Sequence, residues 1–194
     1  MKWLPSFVVA LVASVASAAP VTQSDDPIPV YKLRISARSS PYLDGKYLSV
    51  RDNKVGVWNG NRPVNFYTTP SPSHNGLVQL HTWPIGIVDS VLGLVGSGGL
   101  TALTEISNPE SVTYPVGTSA DWKSWALVEG APATGRRVGA PKNLLDYAGS
   151  RTGRWAAFPS ANSEWIVTWL EGTTYVPESY MIVDVTYEPV TEEA

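Results

Sequence analysis

The run from Gly153 to Gly172, GRWAAFPSANSEWIVTWLEG, constrains this chain more than any other stretch. It holds three of the eight tryptophans, Trp155, Trp165 and Trp169. From Trp165 the residues read as a strand, with Trp165, Val167 and Trp169 on one face and Ile166, Thr168 and Leu170 on the other. Both faces are largely apolar, so the strand is expected to be covered on both sides. Glu164 and Glu171 flank the run and Gly172 ends it. Each large indole can bury about 150–250 Å², which makes the stretch the expected core of a β-protein. The competing reading is an aromatic platform on which sugar rings stack. Buried aromatics outnumber such platforms, which favours the core.

Elsewhere short alternating segments recur between turn signals. Tyr31, Leu33 and Ile35 share an inward face. Asp44-Gly45, Asp52-Asn53 and Asn59-Gly60-Asn61 mark turns around strands at 47–50, 55–58 and 64–68. Residues 77–82, 125–129, 144–147, 155–158 and 164–170 read as further strands, and Tyr180 to Tyr187 as one long β-branched strand. Residues 107–121 read as a long loop. Residues 68–75, TTPSPSHN, read as a Ser/Thr/Pro-rich surface loop that could carry O-linked sugars. About a dozen short strands and no convincing helix predict an all-β domain. Asn65-Phe66-Tyr67, Ser124-Trp125-Ala126 and Glu164-Trp165-Ile166 each follow a polar turn, a weak threefold recurrence. It predicts a β-trefoil-like closed barrel, with a jelly roll or β-sandwich as the alternative.

The first residues, MKWLPSFVVALVASVASAAP, have the form of a secretory signal: Lys2, an apolar stretch from Leu4 to Val15, and Ala16-Ser17-Ala18 before the expected cut. The expected organisation is a signal over 1–18, an exposed lead-in over 19–29 and one all-β domain over 30–190. The apolar stretch is too short to span a bilayer, which needs about 20 residues. No membrane span is expected, and the location is extracellular or the cell wall. Removing Lys2 from the 14 basic residues leaves 13 against 17 acidic ones, a net charge of −4. That balance argues against a nucleic-acid partner. There is no cysteine, so the domain must stand on its core without disulfides.

Chemistry-bearing motifs are sparse. The two histidines, His74 and His81, lack metal-ligand spacing, and both read as structural or solvent-facing. A Ser-His-Asp arrangement stays open, although no Gly-x-Ser-x-Gly elbow exists. Leu100 follows the glycine cluster at 93–99 where a phosphate loop needs Lys, so the cluster reads as a turn between strands. Glycosidase chemistry needs two carboxylates across a cleft. Asp44, Asp52, Asp89, Asp146, Glu164, Glu171 and Asp184 are available, and no pair is marked. Neither a catalytic set nor a cofactor or metal is expected. If the chain binds a neutral wall polysaccharide, the candidates are turn residues that reach solvent: Tyr42, Trp58, Asn59, Asn61, Trp83 and Trp122. Trp58, at a strand end, has the competing role of capping the barrel.

The runs NLLDYAGSRTGRWAAFPSANSEWIVTWLEG and YMIVDVTYEPV, with YKLRISARSS and GKYLSVRDNKVGVW before them, resemble the fungal phialide-associated cell-wall proteins and related small secreted fungal domains of unknown function. The resemblance is loose over most of the chain and specific only near the end. The family's cysteines are absent here. It implies a secreted or wall-associated protein with a structural or protective role in conidiation or stress, and it transfers no catalytic residue. A carbohydrate-binding, lectin-like module is the alternative, and a glycan-active enzyme the third.

Overall fold

The structure is a computed structural model that describes residues 27–129, 143–150, 152–177 and 179–191. The expected signal segment and most of the lead-in lie outside these residues, as does the Gly/Pro-rich stretch 130–142. Among the described residues no helix is long and apolar enough to cross a membrane.

The protein is all-β. Its strands are β1 (Tyr31–Ser36), β2 (Ser49–Arg51), β3 (Lys54–Val57), β4 (Asn65–Pro70), β5 (Val78–Trp83), β6 (Ser90–Ser97), β7 (Leu100–Ser107), β8 (Ser119–Asp121), β9 (Trp125–Val128), β10 (Leu144–Tyr147), β11 (Arg154–Pro159), β12 (Trp165–Leu170), β13 (Met181–Ile182) and β14 (Asp184–Pro189). The helical content described is a single 3-10 turn, Ala161–Ser163. Six strands close an antiparallel barrel in the order β1-β4-β5-β9-β10-β14 and back to β1. Closure removes the unpaired edges that an open sheet would leave. It decides against the jelly roll and the sandwich.

The remaining strands leave and re-enter this barrel. The β2–β3 hairpin lies between β1 and β4. The β6–β7 hairpin with β8 lies between β5 and β9, and β11–β12 with β13 lies between β10 and β14. One strand of each excursion pairs with the other two: β12 with β3 at Trp165↔Val57, β3 with β7 at Lys54↔Thr104, and β12 with β7 at Trp169↔Thr101. The turn from β6 to β7 is Gly98-Gly99, both at positive φ, which side chains would resist.

One core fills both the barrel and these excursions. Leu33, Ile35, Phe66, Leu80, Trp125, Leu145, Val185 and Tyr187 come from the barrel strands, and Leu48, Val55, Leu94, Leu103, Trp155 and Trp169 from the rest. Trp125 and Trp155 stack at 6.0 Å, and Trp155 meets Trp169 edge-on at 5.2 Å. Every indole N–H of this trio is used: Trp125 donates to the Leu92 carbonyl, Trp155 to the Leu145 carbonyl and Trp169 to Glu171. The opposite face of β11 and β12 buries Ala156, Phe158 and Leu170 under Leu100, Val176 and Tyr180. The Trp-rich run is therefore covered on both sides, as its pattern predicts.

Several sequence expectations need correction. The long strand 180–187 is two strands, because Val183 is where the chain leaves β11 and joins β1 and β10. The Ser/Thr/Pro loop is shorter than 68–75. Thr68, Thr69 and Pro70 pair with β5 inside β4, so only the hydroxyls from Ser71 onward lie in a loop. Residues 107–121 end in a strand, β8, rather than in loop. The three segments of the weak recurrence do not occupy equivalent places: Phe66 and Trp125 sit in barrel strands, whereas Trp165 sits in an excursion.

Candidate functional site

A cleft of about 610 Å³ opens where the turn after β3 meets the turn before β12. Its walls include Tyr42, Tyr47, Trp58 and Trp165, with Val57 and Met181 as apolar floor and Asn59 among its polar groups. Each wall is positioned by chain-local physics. Tyr42 lies in the 41–45 turn, which buried Leu43 anchors from below and Asp44 fastens by accepting the Ala37 N–H at 2.9 Å. Tyr42 itself is 84% exposed. Tyr47 donates its hydroxyl to Glu188 at 2.7 Å, and the Lys32 ammonium sits 4.5 Å from its ring centre. That clamp fixes the ring before any ligand arrives.

Opposite these tyrosines, Glu164 joins the two turns. It is buried, accepts both forks of Arg51 at 2.7 and 2.5 Å, and accepts the Asn59 N–H at 3.2 Å. The Asn59 side chain crosses to the Asn162 carbonyl at 3.0 Å. The Arg51 guanidinium lies 4.1 Å from the Trp58 ring, and the Trp58 indole donates to the Lys54 carbonyl. Arg51 holds the Glu164 carboxyl below its ordinary value, with the Asn59 N–H adding to the effect. Tyr47, followed by Lys32, does the same for Glu188. A depressed carboxylate lends stability that is present above the unfolded value near 4.5 and is lost as pH falls through the folded value. The thermal midpoint should therefore be flat above about pH 5 and fall steadily below about pH 4.5. Arg51→Gln should blunt that fall by removing the main cause at Glu164. A scan of melting temperature from pH 7 down to 2.5 checks this, and an acid limb of unchanged depth in Arg51→Gln would contradict it.

The structure brings together three of the six sequence candidates, Tyr42, Trp58 and Asn59. Trp58 is only 7% exposed and backs the cleft more than it offers a platform. Asn61 turns its amide to the Val50 carbonyl and does not line the cleft. Trp83 lies at the end of β5, edge-on to Tyr67 at 6.3 Å. Trp122 is half-buried beside Lys123, and among the described residues its buried Nε1 has no hydrogen-bond partner. Sequence reasoning missed Tyr47 and ranked Trp165 as core ahead of its platform reading. Trp165 shares a face with Trp169 and so reads as core. Yet it opens β12 and is only half-buried, so its indole reaches the cleft. Its place directly after the polar turn was the available signal.

The histidines follow the sequence expectation in part. His74 is exposed. His81 stacks on Tyr67 at 5.2 Å, its Nδ1 lies 2.7 Å from Asp89 Oδ1, and its Nε2 lies 2.9 Å from Thr69 Oγ1. The arrangement left open in the sequence thus contains threonine, not serine, and it braces the end of β5 against the loop before β6. No group of three or more metal-ligating side chains occurs among the described residues. Comparison with protein-family models, with curated proteins and with solved structures finds no match to this chain.

Proposed function

We propose that this protein is a secreted, cell-wall-associated, non-enzymatic module that holds a neutral wall polysaccharide, such as chitin or β-glucan, and serves a structural or protective role in conidiation or stress. The observation that carries the reading is the cleft itself, where Tyr42, Tyr47, Trp58 and Trp165 converge beside Asn59. Fixed aromatic faces with a few amide and hydroxyl groups suit a pyranose, which presents apolar C–H faces and a hydroxyl rim. Glu164, the carboxylate that ties the two turns bordering the cleft, is bound by Arg51 and Asn59, which supports binding over hydrolysis. The resemblance to secreted wall proteins supports the location.

The fold behind this reading is a β-trefoil. Three units of barrel strand, excursion and barrel strand recur along the chain, and β3, β7 and β12 meet as a triplet. That recurrence supports the trefoil plan and suits a wall-binding module, because the same scaffold can present sites on more than one unit.

Among the described residues Lys46 is the single charged side chain lining the cleft, so binding should change little with salt. The protein should be retained on insoluble chitin or β-glucan at low and high salt alike. Tyr42→Ala should weaken retention about 2- to 12-fold, the loss of one ring contact worth roughly 0.5–1.5 kcal/mol, and leave stability unchanged because Tyr42 is exposed. Retention on neither polymer would remove the binding reading and leave the structural or protective one.

A further inference from the structure

The chain from Trp83 to Val88, WPIGIV, joins β5 to β6 and exposes an unusual amount of apolar surface. Trp83 is 39% exposed, Ile85 57%, Val88 48%, and Ile87 is fully exposed at 107%. Scattered exposed apolar residues are ordinary, but four within six positions form a patch. From Pro84 to Val88 no side chain is charged and none can hydrogen-bond. The base of this loop is braced on both sides. Trp83 pairs with Asn65 across β4 and packs edge-on against Tyr67. Asp89 holds His81 with its carboxylate and accepts the Asn108 N–H on its carbonyl at 2.7 Å. The tip is thus held outward rather than folded onto the barrel.

We propose that this loop inserts into the interfacial layer of a lipid bilayer and docks the protein peripherally on a membrane surface. A bilayer interface asks for aliphatic side chains at acyl depth and an indole at headgroup level, which Ile85, Ile87, Val88 and Trp83 supply. A protein partner or a second copy asks for more. A stable interface buries about 800 Å² on each side from some 20–30 residues, well beyond a six-residue tip. The loop also lacks the polar side chains that fix register with a protein partner. Because Pro84 to Val88 lie outside the strands, insertion stops at the interface, where water and headgroups can meet their backbone. The Asp89 carboxylate lies at the base of the loop, 2.7 Å from His81 Nδ1, while Pro84 to Val88 carry no charge to oppose lipid and no basic residue to call for an anionic one. This surface is separate from the cleft and does not depend on it.

The test is flotation with phosphatidylcholine vesicles, with and without phosphatidylserine, using the chain from Ala19 so that the apolar stretch 4–15 cannot itself bind lipid; every strand among the described residues lies within 31–189. The expected result is co-flotation with the uncharged vesicles that persists at high salt. Ile87→Asp should lower the bound fraction at least tenfold at an unchanged melting temperature, since that side chain touches nothing it could destabilise. No co-flotation of the parent chain, or equal flotation of Ile87→Asp, would overturn the proposal. So would a strict need for the anionic lipid, which would assign any binding to charge. Concentration-dependent dimerisation lost in Ile87→Asp would assign the loop to a second copy and overturn it as well.

Discussion

Trp155→Ala should cost about 3–5 kcal/mol, the range for deleting a large buried aromatic, and lower the melting temperature by roughly 10 °C for a domain of this size. Trp155 is 5% exposed and lies between Trp125, stacked at 6.0 Å, and Trp169, edge-on at 5.2 Å. Truncation opens a cavity between two rings that cannot both close on it. It also removes the indole donor to the Leu145 carbonyl, held at 2.9 Å, and losing a buried hydrogen bond adds its own penalty. With no cysteine in the chain, no disulfide limits the unfolded state, so the loss falls on the core alone. Trp169→Ala should behave alike. Trp165→Ala should cost less, because that side chain is half-buried at the cleft. Urea midpoints for the three variants check the order. A Trp165 variant as damaged as Trp155→Ala would place its ring in the core instead of the cleft wall.

Gly56→Ala is expected to destabilise by about 1–3 kcal/mol, the range for forcing extra atoms into a packed site, and to abolish polysaccharide retention. Gly56 sits opposite Ile166 where β3 pairs with β12. A Cβ there would run into the backbone carbonyl oxygen of Trp165 and come within 3.2 Å of Trp58 Cε2. A flexible side chain could yield, but a strand carbonyl inside a ladder cannot do so without parting the strands. Parting β3 from β12 separates Trp58 from Trp165, the two indoles of the cleft. Stability and binding should therefore fall together in this variant, whereas Tyr42→Ala separates them. Urea melts with parallel retention assays decide. An unchanged midpoint would show that β3 and β12 approach less closely than the geometry requires.

How much of this was legible in the sequence follows from the range of the forces involved. The turns were readable because their signals are local. Asp52-Asn53 and Gly98-Gly99 take positive φ, a cost that asparagine, aspartate and glycine bear most easily. The two-sided burial of β12 was readable from its two largely apolar faces. The break at Val183 was not, since 180–187 is uniformly β-branched and aromatic. What divides it is the change of partner from β11 to β1 and β10, a tertiary fact. Thr69 and Pro70 misled for the converse reason, as turn-forming composition is overridden by pairing with β5. In the site, the polar turn residues Tyr42 and Asn59 were found because turns reach solvent. Tyr47 was hidden, because its orientation depends on Glu188, 141 positions away. Glu164 stood out only as a flanking acid, and its partner Arg51 is 113 positions distant.

The most direct measurement of the cleft's role is a titration of ¹⁵N-labelled protein with chitin and β-glucan oligosaccharides, following the tryptophan indole N–H resonances. The account predicts saturable shifts for Trp165 and, more weakly, Trp58, while Trp125 and Trp155 stay fixed because their N–H groups are buried on the Leu92 and Leu145 carbonyls. No saturable shift with either oligosaccharide, or shifts confined to Trp83 or Trp122, would contradict it.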